Sequence, residues 1–189
     1  LSYMMAIAEG SNVDEAVRRT HAIEERLKPF LADGTVGSYE SILTYLPVAE
    51  QQQQVIAAVR GKDAAAFDAE RIQTTLRAAL AENGFRVEAF APYLEQMQRF
   101  LAPVRPITLD DLEHNGLGRI IERYVHRDAG RVKIVTYLHT TDPKWRRTPP
   151  PGLVEALQAG DPGIVVTGTN VVGRELRRIY LHDSRVAVA

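Results

Sequence analysis

The order strand, helix, strand occurs twice in this sequence, once towards each end, and this repeat restricts the fold more than any other feature. In the first copy, residues 3–8 are an apolar run that predicts a strand. An amphipathic helix begins at Val13, and residues 37–45, rich in β-branched and aromatic side chains, predict a second strand. Residues 1–46 therefore form one strand–helix–strand unit.

The second copy lies near the C-terminus, within residues 131–189. Residues 131–140 alternate between apolar and polar positions, which is typical of a strand. A run of prolines and a glycine then leads into a short helix at 153–159, and the apolar residues 164–167 predict another strand. A last helix begins near Asn170 and is expected to continue to the end of the chain.

Two such units in series predict an α+β fold, the ferredoxin-like split β-α-β antiparallel sheet with two helices on one face. We expect the four strands in one sheet, because the handedness of β-α-β crossovers leaves few other arrangements. Leu27 and Leu153 are then expected on helices that cover the same face.

Residues 47–130 carry no strand pattern and are helical instead. A structureless segment of this length is implausible in a compact domain, so we predict a helical lobe inserted between the second and third strands. The predicted helices cover residues 48–59, 68–83, 92–101, 109–113 and 118–127.

Capping residues mark several helix ends. Asn12 is placed to cap the first helix, with Glu15 able to reach back to the cap, and Asp33-Gly34 follows the end of that helix. Thr108 is placed to cap the helix that begins at residue 109, and Asp111 lies where the helix dipole stabilises a carboxylate.

Composition narrows the classes of function. The 23 Lys and Arg residues nearly balance 24 Asp and Glu, so we expect no nucleic-acid partner. The chain has no Cys, and its five His residues include no pair four positions apart, so we expect no metal and no cofactor. No serine lies in a Gly-x-Ser-x-Gly elbow, and we predict that the chain is not an enzyme.

The most unusual segment is Lys144-Trp145-Arg146-Arg147, which places the only Trp in the densest basic cluster, just before three prolines. A Trp flanked by cations suits a membrane interface or a partner surface, and the prolines are expected to hold the segment extended and exposed. We therefore predict that Lys144, Trp145, Arg146 and Arg147 contact a substrate, a membrane or a partner domain. The alternative is a solvated loop whose Trp packs on the domain.

Gly168-Thr169-Asn170 is a second candidate, because it follows a strand and begins a helix. An anion could bind at that helix N-terminus. A single short glycine turn also occurs where nothing binds.

The order of elements, the segment GSYESILTYLP (37–47) and the segment VTGTNVVGRELRR (166–178) resemble the extracytoplasmic loops of the resistance–nodulation–division superfamily, in particular its MMPL-like branch of predicted lipid exporters. The resemblance covers nearly the whole chain and rests on packing and turn patterns. It transfers no active-site residue, since the acidic residues that relay protons in that family lie in membrane helices.

The resemblance implies a porter domain on the periplasmic side of the bacterial inner membrane, part of an integral membrane protein. Its partners would be a lipid or amphiphile and the rest of the transporter, with a homo-oligomer left open. Leu1 would be a boundary within a longer chain, and the last helix would lead to a membrane, with Arg177, Arg178 and Arg185 near lipid headgroups. The alternative function is a ferredoxin-like regulatory module that binds a small ligand.

Overall fold

The computed structural model describes residues 4–61, 68–101 and 105–188, with the side chains of 98–101 and 182–188 left out. The chain divides into two compact units. The first unit comprises Leu1–Val48 and Thr108–Ala189, and the second comprises Ala49–Ile107.

The first unit is built on a five-stranded antiparallel sheet, so the fold is α+β. The strands are β1 (Met4–Gly10), β2 (Val36–Glu40), β3 (Val125–Asp128), β4 (Arg131–Thr140) and β5 (Ile164–Gly168). The order β2-β4-β1-β5 places the four predicted strands in one sheet, as expected, apart from Tyr3 of the first, which lies outside the described residues. Strand β3 pairs with β4 on the same edge as β2.

Helices cover one face of this sheet. Helix α1 (Val13–Ala32) buries Ile23 and Leu27 in the same cluster as Leu153 of a later helix, which confirms that Leu27 and Leu153 cover one face. Residues at alternate positions of the strands supply the other side of this first cluster, as the two-residue period of a strand requires. Full burial of each such leucine contributes about 1.5–3 kcal/mol.

A second buried cluster lies over the other end of the sheet. It contains Ala16 and Val17 from the first turns of α1, Val132 and Ile134 from β4, and Tyr124. Two short helices cover it: α5 (Leu109–Leu112) and α6 (Gly118–Tyr124). Helix α1 thus connects both clusters, one at each of its ends.

The helix ends largely follow the predicted caps. Asn12 Oδ1 accepts a hydrogen bond from the Glu15 amide at 2.9 Å, and Asp33 is the C-cap of α1. Thr108 and Asp111 form a reciprocal capping box at α5. Glu15 differs from the expectation, since its carboxylate accepts from the Ser11 amide at 2.7 Å and not from the cap residue's own amide.

Two sequence predictions about element bounds are wrong. The strand predicted at 37–45 ends at Glu40, because Ser41 Oγ accepts from the Leu43 amide at 3.2 Å and starts the 3₁₀ turn Ile42–Thr44. The helix predicted at 118–127 ends at Tyr124 and is followed by β3. Ala129 and Gly130 both have positive φ, at 46° and 77°, which closes a tight hairpin between β3 and β4.

The second unit consists of α2 (Ala49–Arg60), α3 (Ala69–Glu82) and α4 (Ala91–Leu101), preceded by the 3₁₀ turn Val87–Phe90. All three helices lie where the sequence predicts them, to within two residues. Asp68 caps α3 by accepting from the Arg71 amide at 2.9 Å. Gln73 Nε2 on α3 donates to the carbonyl oxygen of Leu94 on α4 at 2.7 Å.

The remaining helices of the first unit are α7 (Leu153–Gln158) and α8 (Thr169–Val188). Helix α8 contributes Val171 to the first cluster. Over residues 4–61, 68–101 and 105–188, no helix is both long and apolar enough to cross a membrane.

Candidate functional site

The predicted basic segment is a turn fixed to the start of α8, and not an extended loop. Residues Pro143–Arg146 form a 3₁₀ turn, which together with Arg147 we call the basic turn. Asp142 caps it by accepting from the Lys144 amide at 2.9 Å. Pro149 and Pro150 are buried and Pro151 is exposed, so the first two prolines pack against the unit and do not hold the segment away from it.

Asn170 joins the basic turn to α8. This residue is 3% exposed, and its Nδ2 donates to the carbonyl oxygen of Trp145 at 2.7 Å. Its Oδ1 accepts from the Val171 amide at 2.9 Å, so both ends of the buried amide are used. The turn and the first turn of the helix are therefore held in one arrangement.

This arrangement brings together arginines that are distant in sequence. Arg146 and Arg147 of the basic turn, with Arg174 and Arg177 of α8, line a cavity of about 340 Å³. Thr148, Thr169 and Gly173 complete its lining, and no carboxylate is among the lining residues. We call it the basic cavity.

Only two of the four residues predicted to make contacts line the same cavity. Arg146 and Arg147 line the basic cavity, whereas Lys144 and Trp145 do not. Lys144 Nζ lies 2.7 Å from Asp142 Oδ2 and 4.5 Å from the centroid of the Trp145 ring. The hydrogen bonds from Lys144 hold the pKa of Asp142 below its usual value, so much of the lysine's charge is directed at its own turn.

Sequence reasoning missed Arg174 as a site residue and placed Arg177 near headgroups for a different reason. Both lie one helical turn apart, at a spacing of three residues, which indicates only that they share a side of α8. The missing information is the position of the basic turn, which the contact between Asn170 and Trp145 provides.

A larger cavity of about 510 Å³ lies near the ends of β1 and β4. The charged residues of its wall are paired: Arg19 lies 2.7 Å from Glu15, and Arg131 pairs with Glu9. Arg19 also lies 3.0 Å from Asp161, which is outside the wall. Hydrogen bonds from Ser11, more than the nearby Arg19, lower the pKa of Glu15. With its charges balanced, this cavity has less to attract an ionic ligand than the basic cavity.

Helix α8 has a second unusual feature next to the basic cavity. Val172, Leu176, Ile179 and Tyr180 are 50%, 61%, 51% and 75% exposed, and their spacing places them along one side of the helix. We call these four residues the apolar stripe. The buried residues Asn170 and Val171 lie on the opposite side, since each residue turns an α-helix by about 100°.

No group of three or more potential metal ligands (His, Cys, Asp or Glu) occurs within the part of the chain that the structure describes. The candidate site consists of the basic cavity and of the apolar stripe on the same helix. A scan against protein-family models, a search of curated proteins and a search of solved structures each returned no match for this chain.

Proposed function

We propose that this chain is an extracytoplasmic porter domain of a membrane exporter in the MMPL-like branch of the resistance–nodulation–division superfamily. It binds or guides a lipid or amphiphile on the periplasmic side of the inner membrane. The rest of the transporter is its partner and supplies the energy, and the domain carries out no chemistry of its own.

The sheet order supports this proposal. With β3 set aside, β2-β4-β1-β5 is the order of a ferredoxin-like split β-α-β sheet, in which the third strand lies between the first two. Residues Ala49–Ile107 then correspond to a helical lobe inserted between the second and third strands of that fold. Such a sheet serves many functions, so the fold alone does not decide between them.

The observation that carries the proposal is the apolar stripe. A soluble helix ordinarily turns its apolar side to the core, but α8 docks through Asn170 and Val171 and presents the apolar stripe on its other side. Exposed apolar side chains that form a continuous patch mark a site of interaction.

The charges beside the stripe indicate a lipid as its occupant. Arg177 lies about 60° around the helix from Tyr180 and about 100° from Leu176, so this edge of the basic cavity adjoins the apolar stripe. Arg174, by contrast, lies on the opposite side of the helix with Asn170. An amphiphile with an anionic end matches both surfaces at once. Basic side chains near an anionic lipid surface each contribute about 1 kcal/mol.

Vesicle binding tests this proposal. The 189-residue chain is titrated with vesicles containing an anionic phospholipid, and binding is followed by cosedimentation and by the fluorescence of Trp145, the only Trp. We expect saturable binding that weakens roughly tenfold or more in Leu176→Ser/Ile179→Ser, because each side chain loses about 1.5–3 kcal/mol of apolar burial if fully covered.

Leu181→Ser provides the matched control. Leu181 is 50% exposed on the same helix but lies off the stripe, so its replacement should leave binding nearly unchanged. Absence of binding by the unmodified chain, or an equal loss in Leu181→Ser, would contradict the proposal. A stable dimer that covers Leu176 and holds a small ligand would favour the regulatory module instead.

A further inference from the structure

The basic cavity holds more positive charge than its surroundings neutralise. Arg174 Nη1 lies 3.1 Å from Glu155 Oε1, so this guanidinium has a carboxylate partner. Among the described residues, no carboxylate lies within ion-pair distance of Arg146, Arg147 or Arg177. Three guanidinium groups that repel one another therefore line one cavity, and this arrangement favours an anion between them.

Arg174 also has an unused donor. Its Nε is buried without a hydrogen-bond acceptor in the described part of the chain, and Glu175 Oε1, at 3.6 Å, is too far away for a hydrogen bond. A buried donor without an acceptor carries a desolvation cost. Solvent does not reach this atom, so an anion in the cavity would contact it only after the Arg174 side chain moves.

The type and number of donors indicate the class of anion. A guanidinium presents a planar fork of N–H groups that matches two oxygens of a phosphate or a carboxylate. One fork is enough for a carboxylate, whereas a phosphate group has three or four oxygens and up to two charges to satisfy. Several arginines together with the hydroxyls of Thr148 and Thr169 suit the phosphate.

The position and the size of the cavity agree with this choice. Thr169 is the first residue of α8, a helix of 20 residues whose N-terminal amides add a positive potential at the cavity. The volume of about 340 Å³ is within the range of small-ligand pockets, so it leaves room for a phosphate and a substituent attached to it.

We infer that the basic cavity binds a phosphate group, carried by a lipid headgroup or present as free phosphate, through Arg146, Arg147, Arg174 and Arg177. The lipid form rests on the proposed function and deepens it by naming the charged group of the amphiphile. The apolar stripe would then contact the acyl part of the same molecule.

The test uses Arg147→Gln/Arg177→Gln, with Arg178→Gln as the matched control. Arg178 lies next to Arg177 on α8, but it pairs with Glu175 at 2.9 Å and does not line the cavity. Inorganic phosphate and pyrophosphate are titrated calorimetrically into each variant. Vesicles with phosphatidic acid, and vesicles with a phosphate-free anionic lipid at the same surface charge, form the second arm. Circular dichroism of each variant confirms that it is folded.

The unmodified chain and Arg178→Gln should bind pyrophosphate saturably, and the double variant should bind roughly tenfold or more weakly, because it loses two charged forks. If the phosphate belongs to a lipid, phosphatidic acid vesicles should also bind more tightly than the phosphate-free vesicles, and the double variant should lose that preference. Phosphate binding without that preference assigns the cavity to free phosphate.

Two results overturn the inference. In the first, the unmodified chain shows no saturable binding of phosphate or pyrophosphate and no preference for phosphatidic acid vesicles over the phosphate-free vesicles. The second is an equal loss of binding in Arg178→Gln and in the double variant. Vesicle binding that depends on Leu176 and Ile179 but not on the arginines would leave the proposed function standing while this inference fails. Phosphate binding that depends on the arginines, without any vesicle binding, would support this inference while the proposed function fails.

Discussion

The two units of this molecule use helices in opposite ways. Every described hydrophobic residue that is buried lies in the first unit, with the single exception of Leu94. Helices α2 and α3 bury no residue fully, although both are amphipathic. Val55 on α2 and Tyr93 on α4 are 63% and 61% exposed. In the first unit, by contrast, α1 alone buries five residues against the sheet.

This difference shows that helix pattern and helix burial are separate properties. The same period of apolar residues predicts α1 and α3 equally well, since it requires only that one side of the helix be apolar. Stability depends instead on whether that side is covered, because most helical stability in proteins comes from tertiary packing.

Amide hydrogen exchange should separate the two units most clearly. We expect amides of β1 and β4 to exchange on the order of a thousandfold more slowly than amides of α3, after correction for intrinsic rates, because they open only with the core. Exchange measured by mass spectrometry on short peptides provides the comparison. Equal protection in both units would mean that Ala49–Ile107 unfolds together with the sheet, and the contrast would be lost.

Truncation of a leucine should have a large effect in the first unit only. Leu27→Ala removes a side chain with 0% exposure and should lower the free energy of unfolding by about 2–5 kcal/mol. Leu76→Ala on α3, where the side chain is partly exposed, should cost less than about 1 kcal/mol. Urea titrations followed by circular dichroism measure both. A larger effect at Leu76 would reveal packing of the second unit that its exposure does not indicate.

The two N-caps make equivalent hydrogen bonds, at 2.9 Å each, and this makes them a matched pair. Asn12→Ala should lower the stability of the sheet unit by about 1 kcal/mol, because α1 is part of its core. Asp68→Ala should reduce the helicity of α3 and leave the unfolding midpoint of the sheet unit unchanged, as followed by Trp145 fluorescence. A shift of that midpoint in both variants would show that the two units unfold as one.

The smallest effect concerns Glu24 on α1, whose pKa is raised mainly by burial, while hydrogen bonds from Ser41 and Tyr39 oppose the shift. Because its folded pKa lies above the unfolded value, Glu24 favours folding when protonated, and this contribution is lost as pH rises through the folded pKa. Glu24→Gln should therefore raise stability at pH 7 by less than about 1 kcal/mol, with no gain at a pH well below 4.5.

Glu25→Gln is the control of opposite sign. A hydrogen bond from Lys28 lowers the pKa of Glu25, so its contribution to stability is present at neutral pH and is lost as pH falls through the folded pKa. Its replacement should slightly lower stability at pH 7. Urea midpoints of both variants between pH 3 and pH 7 distinguish the two signs, and the same sign in both would refute the burial of Glu24 against β2.

Strands with a strong pattern could be predicted from the sequence, whereas those defined by their neighbours could not. The alternation of β4 predicts both of its ends, Arg131 and Thr140. Strand β3 has only Val125 as an apolar residue, and its pairing with β4 supplies what the pattern lacks. The available signal was Asp128-Ala129-Gly130 directly before a strong strand, which is a hairpin turn sequence.

Only the part of the basic cavity that the basic turn contributes could be predicted from the sequence. Its contribution from the basic turn follows from composition, because Arg146 and Arg147 flank the only Trp within a dense basic cluster. The contribution of Arg174 depends on a hydrogen bond between residues 25 positions apart, from Asn170 to Trp145. The local pattern of apolar residues does not predict such a contact. It depends on the tertiary structure, because the sheet determines where β5 and α8 lie.

The positions of the residues that flank the second unit indicate that the number of residues in that unit can vary. Val48 and Leu109, which flank Ala49–Ile107, are both buried in the second cluster, at 4% and 2% exposure. The chain therefore leaves and re-enters the first unit at one fixed place. The free-energy cost of closing a loop grows only with the logarithm of its length. Replacing these 59 residues (107 − 48) with about six would therefore lower that cost by only about 2 kcal/mol. Insertions and deletions between Val48 and Leu109 should accordingly be tolerated, while the sheet keeps its register.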